Sequence, residues 1–99
     1  MIDQHFVAVD FDVEAGKQEE ALALIGDYVA NFLSQQPGFI RSVLHKGLDG
    51  SSIVHYAQWR SEEDFKQAGE KARAHPDLPA LLAYNPRGRG FTSWRTFGE

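Results

Sequence analysis

The chain has 99 residues, 42% of them hydrophobic and 24% charged, which is typical of a single domain with one core. A net charge of −4 with scattered Lys and Arg residues argues against nucleic acid and anionic membrane surfaces as partners. The absence of cysteine excludes thiolate, iron–sulfur and disulfide chemistry. With no signal-peptide pattern and no apolar run near the roughly 20 residues that span a bilayer, we expect a cytoplasmic protein.

The first predicted elements are a strand and a helix. From Phe6 to Val13 every second residue is apolar, which is the pattern of a strand with one buried face. From about Lys17 to Gln35 apolar residues recur at helical spacing. Pro37 and Gly38 then end the predicted helix.

A hairpin and a second helix follow. Two strands are predicted, from Phe39 to Lys46 and from Ser51 to Arg60, with the turn signal Asp49-Gly50 between them. Ser61 followed by Asp64 resembles a capping box and indicates the start of the second helix. Four residues share one face of that helix: Phe65, Ala68, Ala72 and His75.

The last part of the chain is predicted to hold a short helical turn and a strand. Pro76 and Pro79 end the second helix, and residues 78–84 can form one further turn. Gly88-Arg89-Gly90 is interpreted as a flexible approach to a strand from Phe91 to Phe97.

The order β-α-β-β-α-β predicts one α+β domain over residues 1–99, a ferredoxin-like plait with a four-stranded antiparallel sheet and both helices on one face. The other sheet face is left uncovered. Apolar side chains exposed there would favour association, so we expect a face-to-face homodimer.

The third strand carries the most notable candidates for chemistry. His55 and Trp59 point the same way because they are separated by an even number of residues. Trp59 is either a core anchor or an indole N–H donor to a bound phenol or quinone. His55 is either a hydrogen-bonded, half-buried side chain or a general base with an ordinary pKa near 6.5.

The sequence gives weaker evidence that the other histidines belong to a functional site. His75 either stabilises the end of the second helix or contributes to a site. His45 faces away from His55 if the turn has two residues, and shares its face if the turn has three residues with Gly50 left-handed. His5 is expected to be exposed. No paired spacing of His, Asp or Glu supports a metal site, and no glycine-rich nucleotide loop is present.

Several of these segments resemble the antibiotic biosynthesis monooxygenase family. They are Phe6-Val7-Ala8-Val9 in the first strand, Pro37-Gly38-Phe39 at the helix end, Asp49-Gly50-Ser51 in the hairpin, and the junction Tyr56-Ala57-Gln58-Trp59-Arg60-Ser61-Glu62. The resemblance implies a dimeric α+β barrel and, in the cofactor-free members, oxidation of a small aromatic substrate by O₂ without cofactor or metal.

The same resemblance implies positions for the site. Trp59 matches a tryptophan that lines the active site of the cofactor-free members. His55 stands where they have Asn, and Phe65 stands where they have Tyr. From the strand and helix faces and this resemblance together, we expect His55, Trp59 and His75 to be catalytic and Phe39, Phe65 and Tyr84 to bind the substrate.

Three functions remain open at this stage. The first is cofactor-independent oxidation of a polyketide-like phenol or hydroquinone to a quinone, and the second is a non-catalytic ligand-binding or stress-response dimer. The third is heme binding or degradation, for which the first-strand Asn is absent, Ala68 replaces a Trp and only His75 matches. We therefore rank the heme function last.

Overall fold

The computed structural model describes residues 4–98, which form four strands and three α-helices. The elements are β1 (His5–Asp12), α1 (Gln18–Asn31), β2 (Phe39–Lys46), β3 (Ser52–Trp59), α2 (Glu62–Ala72), α3 (Leu78–Leu82) and β4 (Arg87–Phe91), with a 3₁₀ turn (Leu33–Gln35) after α1. The sheet is antiparallel in the order β2-β3-β1-β4. This confirms the ferredoxin-like α+β fold. No helix within residues 4–98 is long and apolar enough to cross a bilayer.

The core lies between one sheet face and the helices. Alternate residues of β1 and β3 point toward α1 and α2, and no helix or strand within residues 4–98 covers the opposite face of the sheet. Two groups of buried side chains fill this layer. One contains Phe11, Val13, Ala21, Ile25, Ile53 and Leu81, and the other contains Val7, Ala57, Trp59 and Ala68.

The first helix ends earlier than the sequence pattern predicts. Phe32 leaves the helical conformation at φ −129° and ψ −64°, and a 3₁₀ turn then continues the chain to Gln35. At the other end, Gln18 Nε2 donates to the carbonyl oxygens of Gly47 and Ser52, each at 2.9 Å. These two bonds attach the start of α1 to the β2–β3 hairpin.

The hairpin settles which way His45 points. His45 pairs with Val54, so its side chain lies on the sheet face opposite His55, whose partner on β2 is Leu44. Gly50 is left-handed at φ +77°, yet the loop does not have three residues, because Gly47 N–H donates to the Ser52 carbonyl at 2.9 Å. Four loop residues give the same strand register as a two-residue turn.

A β-bulge shifts the register at the start of β2. Phe39 pairs with Trp59, whereas Arg41 pairs with Gln58, so one extra residue is inserted between the two pairs. The bulge returns Phe39 to the helix-covered face, where its ring meets Trp59 edge-on at 5.3 Å. Strict alternation along the strand would have placed Phe39 on the open face.

The prediction of a last strand from Phe91 to Phe97 is wrong. The strand is Arg87–Phe91, and it includes Gly88 and Gly90, for which the sequence pattern predicts a flexible approach. Its alternating residues lie on the open face, where Arg87 bonds Asp12 at 2.8 Å and Arg89 approaches Asp10 at 3.5 Å. Ion pairs with β1, not an apolar alternation, mark this edge strand, and for that reason the hydrophobic pattern missed it.

The junction between β3 and α2 is held by the predicted cap at Ser61, but the described residues do not form the reciprocal bond of a capping box, from the Ser61 N–H to the Asp64 carboxylate. The Asp64 N–H donates to Ser61 Oγ at 3.1 Å, and Ser61 Oγ donates to the Asp64 carboxylate at 2.9 Å. Arg60 adds a two-pronged bond to the same carboxylate at 2.8 and 3.0 Å. Gly38 adopts φ +87° beside it, and a Cβ there would lie 2.4 Å from Asp64 Cγ. Only glycine fits at this contact.

Candidate functional site

A cavity of about 190 Å³ lies between the sheet and the helices. Its inner wall is formed by residues that are fully buried, and partly exposed residues form the outer wall. The inner residues are Phe11, Ile25, His55, Ala68 and Leu81, and the outer ones are Val9, Tyr28, Val29, Leu33, Phe65, Gly69, Ala72, Leu78 and Pro86. Among these lining residues, His55 and Tyr28 are the two that have polar side chains.

His55 reaches the cavity from the centre of the sheet. It lies between Val9 on β1 and Leu44 on β2, and its side chain is 4% exposed. Its Nε2 atom is buried and has no hydrogen-bond partner within residues 4–98. An unpaired buried polar group costs about 1–3 kcal/mol. Because this nitrogen is closed to solvent, a ligand can bond it only after neighbouring side chains move.

The expectation of an ordinary pKa for His55 is wrong. Burial lowers the pKa of His55 from 6.5 to about 4, because a charged imidazole would lose its hydration in this apolar layer. The side chain is therefore neutral at physiological pH. A neutral imidazole offers one acceptor nitrogen and one N–H donor.

Tyr28 is the cavity's second polar side chain. It lies on α1 one turn beyond Ile25, and burial raises the pKa of its phenol, which therefore remains protonated at neutral pH. Its ring packs against Phe32 at 5.4 Å and against the edge of His75 at 5.1 Å. The helical stripe in the sequence contained Tyr28 but gave no sign that it borders a cavity.

The three aromatic residues Phe39, Trp59 and Phe65 form a layered cluster at one end of the cavity. Trp59 is completely buried between Phe39 at 5.3 Å and Phe65 at 5.7 Å, and its Nε1 atom has no hydrogen-bond partner in the described part of the chain. Phe65 belongs to the cavity lining. Phe39 and Trp59 are not among the lining residues, and the Trp59 ring meets the Phe65 ring edge-on.

His75 and Tyr84 lie at the margins of this space. His75 follows the end of α2, and its Nδ1 accepts a hydrogen bond from the Asp77 N–H at 3.1 Å. Its ring contacts Phe32 at 4.6 Å as well as Tyr28. Tyr84 packs against the core and borders a separate surface depression beside Glu14 and Lys17.

The remaining histidines do not join this group. His45 is exposed on the other sheet face. The expectation that His5 is exposed is wrong, because its ring packs on Phe65 at 5.5 Å. Within residues 4–98 no three His, Asp or Glu side chains are grouped closely enough to hold a metal ion.

The sequence of this chain matches the profile of a known protein family. The profile described as antibiotic biosynthesis monooxygenase covers residues 5–75. The chain belongs to this family. Among its relatives is the tetracenomycin-F1 monooxygenase of Streptomyces glaucescens, which is 35% identical over 66 residues. That match covers 67% of this chain and 59% of the relative's length.

Solved structures show that the fold is shared along nearly the whole chain. The cofactor-independent oxygenase SnoaB of Streptomyces nogalater, in a structure of a mutant form, is 28% identical with a TM-score of 0.76, over 98% of this chain and 99% of that one. The ActVA-Orf6 monooxygenase of Streptomyces coelicolor, solved with nanaomycin D, is 24% identical with a TM-score of 0.83, over 98% and 93% of the two chains. The second likeness supports the fold alone.

Proposed function

We propose that the chain is a cofactor-independent monooxygenase that uses O₂ to oxidise a small, polyketide-like phenol or hydroquinone to a quinone. The observation that carries this proposal is the neutral, buried and unpaired imidazole of His55 at the inner end of an apolar cavity. The names of the relatives support the reaction class. The substrate supplies all the electrons in this reaction.

The proposed reaction starts when His55 accepts the phenolic proton. The phenolate gives one electron to O₂, and the resulting phenoxyl radical and superoxide combine at a ring carbon that bears hydrogen. The O–O bond then breaks as that hydrogen leaves as a proton, and the departing oxygen takes this proton and the one held by His55. The products are the quinone, one water and a neutral imidazole. One O₂ is consumed for each phenol, with one oxygen atom in the product and the other in water.

The low pKa of His55 makes the first step costly. Transfer from a phenol of pKa about 10 to an imidazole of pKa about 4 is uphill by roughly 8 kcal/mol. Attraction between the phenolate and the imidazolium returns about 4 kcal/mol at 4 Å and an effective dielectric of 20. The remaining cost is compatible with turnover, but only if the two charges stay in contact.

Trp59 is proposed as the donor that orients oxygen or the developing oxyanion. About 13 Å of strand separates its Cα from that of His55, and Trp59 is not among the residues that line the cavity. Neighbouring side chains would therefore have to move when substrate binds. The exchange of Trp59 for Phe removes the N–H but retains an aromatic ring.

Oxygen uptake by purified protein, free of metal and flavin, tests this function. An anthrone and a dihydroxynaphthalene are suitable substrates, with the quinone followed by its absorbance. His55→Ala should lower the rate by roughly 10²–10⁴, the usual contribution of a positioned base. Trp59→Phe should reduce turnover while the protein remains folded.

Two further variants test whether His55 acts as a base and whether the effect is specific to its position. His55→Asn keeps a hydrogen-bond acceptor but cannot take a proton, so full activity in this variant would refute the role of base. His45→Ala removes an exposed imidazole from the other sheet face and should leave the rate unchanged.

The low pKa of His55 also favours a second candidate, a non-catalytic dimer that binds a small aromatic ligand. In that case His55 would accept a hydrogen bond without taking the proton. Ligand binding with no O₂ uptake across a panel of phenols would support this candidate over the oxygenase.

A further inference from the structure

The cavity has one polar group on its inner wall and one on its outer wall. His55 lies in the fully buried part, and Tyr28 lies in the partly exposed part. All twelve other lining residues are apolar or glycine. In a site of this kind the few polar groups fix the orientation of the ligand, because the apolar wall accepts any orientation.

The Tyr28 hydroxyl is available to a ligand. No side-chain hydrogen bond within residues 4–98 involves it, although the ring is held between Phe32 and the edge of His75. Partial burial keeps the phenol neutral, so it retains its O–H donor. A donor that is held by its neighbours but unpaired loses little freedom when it binds.

The size of the cavity limits the enclosed part of the ligand. An apolar cavity of about 150 Å³ holds one benzene ring, and most small-molecule pockets measure about 300–1,000 Å³. At about 190 Å³ this cavity encloses one ring and part of a second. Any further rings of a polycyclic ligand would extend past the outer wall.

We infer that Tyr28 determines substrate specificity: its hydroxyl donates a hydrogen bond to an oxygen acceptor on the substrate, while His55 receives the phenolic O–H. The ligand class is a fused aromatic with a phenol on the enclosed ring and a carbonyl or quinonoid oxygen on the ring beside Tyr28. This inference rests on the proposed function for the location of the site. His75 contributes by packing against the Tyr28 ring.

Binding of two probes to Tyr28→Phe tests the inference without requiring turnover. The first probe is 5-hydroxy-1,4-naphthoquinone, which carries a phenol and carbonyl acceptors, and the second is 1-naphthol, which carries only the phenol. The chain has no cysteine thiol that the quinone could modify. Tyr28→Phe should weaken binding of the quinone about 2- to 13-fold, the worth of one hydrogen bond, and should not change binding of 1-naphthol.

Tyr56→Phe is the matched control, since it removes a hydroxyl from the open sheet face and should affect neither probe. If Tyr28→Phe weakens binding of both probes equally, Tyr28 has only a packing role and the inference is overturned. An unchanged affinity for the quinone would also overturn it, and so would a wild type that binds neither probe. Oxygen uptake is measured separately. Selective quinone binding together with no O₂ uptake across the panel of phenols would therefore refute the proposed function and leave the inference standing.

Discussion

At the scale of single residues, the environment of His55 decides its charge. The side chain enters a layer built from Val9, Leu44 and the apolar faces of two helices, and this layer cannot hydrate an imidazolium. The sequence showed that the residue lies on the apolar strand face. It did not show how completely the helices cover that face, because coverage depends on tertiary packing.

The lowered pKa of His55 predicts an acid-sensitive fold. The unfolded chain takes up a proton near pH 6.5, whereas the folded chain does so only near pH 4. The contribution of the neutral His55 to the free energy of unfolding is therefore fully present above pH 6.5. It is lost as the pH drops from 6.5 to about 4, by about 3 kcal/mol in total. Denaturant unfolding at pH 7.5 and pH 4 measures this difference.

Between pH 7.5 and pH 4, the free energy of unfolding of His55→Asn should fall by about 3 kcal/mol less than that of the wild type. His45→Asn should show the same fall as the wild type. Asp12, Asp49 and Asp64 have pKa values lowered by their hydrogen bonds, so their contribution is present above the unfolded value of 3.8 and is lost below it. An equal loss in the wild type and in His55→Asn would contradict the buried neutral imidazole.

At the scale of elements, the start of α2 depends on one hydroxyl. Ser61 caps the helix through the Asp64 N–H, and the helix then presents Phe65 and Ala68 to the cavity. Ser61→Ala should destabilise the protein by about 0.5–2 kcal/mol, because it leaves that N–H without its partner. Urea unfolding followed by circular dichroism gives the value.

Asp77→Ala is the control for that measurement, since Asp77 precedes α3 but forms no side-chain cap. It should change the unfolding free energy by less than about 0.5 kcal/mol. Equal effects of the two substitutions would mean that the Ser61 bond adds nothing to stability.

The elements also show what a sequence pattern can and cannot reveal. Strands β1 to β3 and the cap at Ser61 were predictable because local periodicity and turn chemistry specify them. Strand β4 was not, because Arg87 and Arg89 pair with acidic residues of β1 that are about 75 positions away in the chain. The sheet face on which the Phe39 side chain lies depends on a β-bulge, which strict alternation cannot predict.

The candidate site was predicted only in part, because local periodicity shows which face of an element a residue lies on but not whether that face borders a cavity. His55 and Phe65 were named from their strand and helix faces, and both line the cavity. Tyr28 was missed because a stripe residue that packs and one that borders a cavity have the same helical spacing. Phe39, Trp59 and Tyr84 lie next to this space but are not among its lining residues.

At the scale of the whole molecule, the uncovered sheet face predicts a dimer. Phe6 and Tyr56 stack on this face at 5.9 Å, and Val43, Tyr56 and Phe91 are each about 40% exposed. Trp94, in the segment after β4, is 90% exposed. Exposed apolar side chains grouped on one face are typical of a protein interface. The ion pairs Arg87–Asp12 and Arg89–Asp10 lie at the β4 edge of the same face.

Sedimentation equilibrium at micromolar concentration should therefore give twice the chain mass of 11.1 kDa. Tyr56→Glu places a charge at the centre of the face and should shift the equilibrium toward monomer, with helix content unchanged because the side chain lies outside the core. Leu82→Glu changes an exposed apolar residue on α3 and should leave the dimer intact. A wild type that sediments as a monomer would contradict the face-to-face barrel and would leave this surface exposed to solvent.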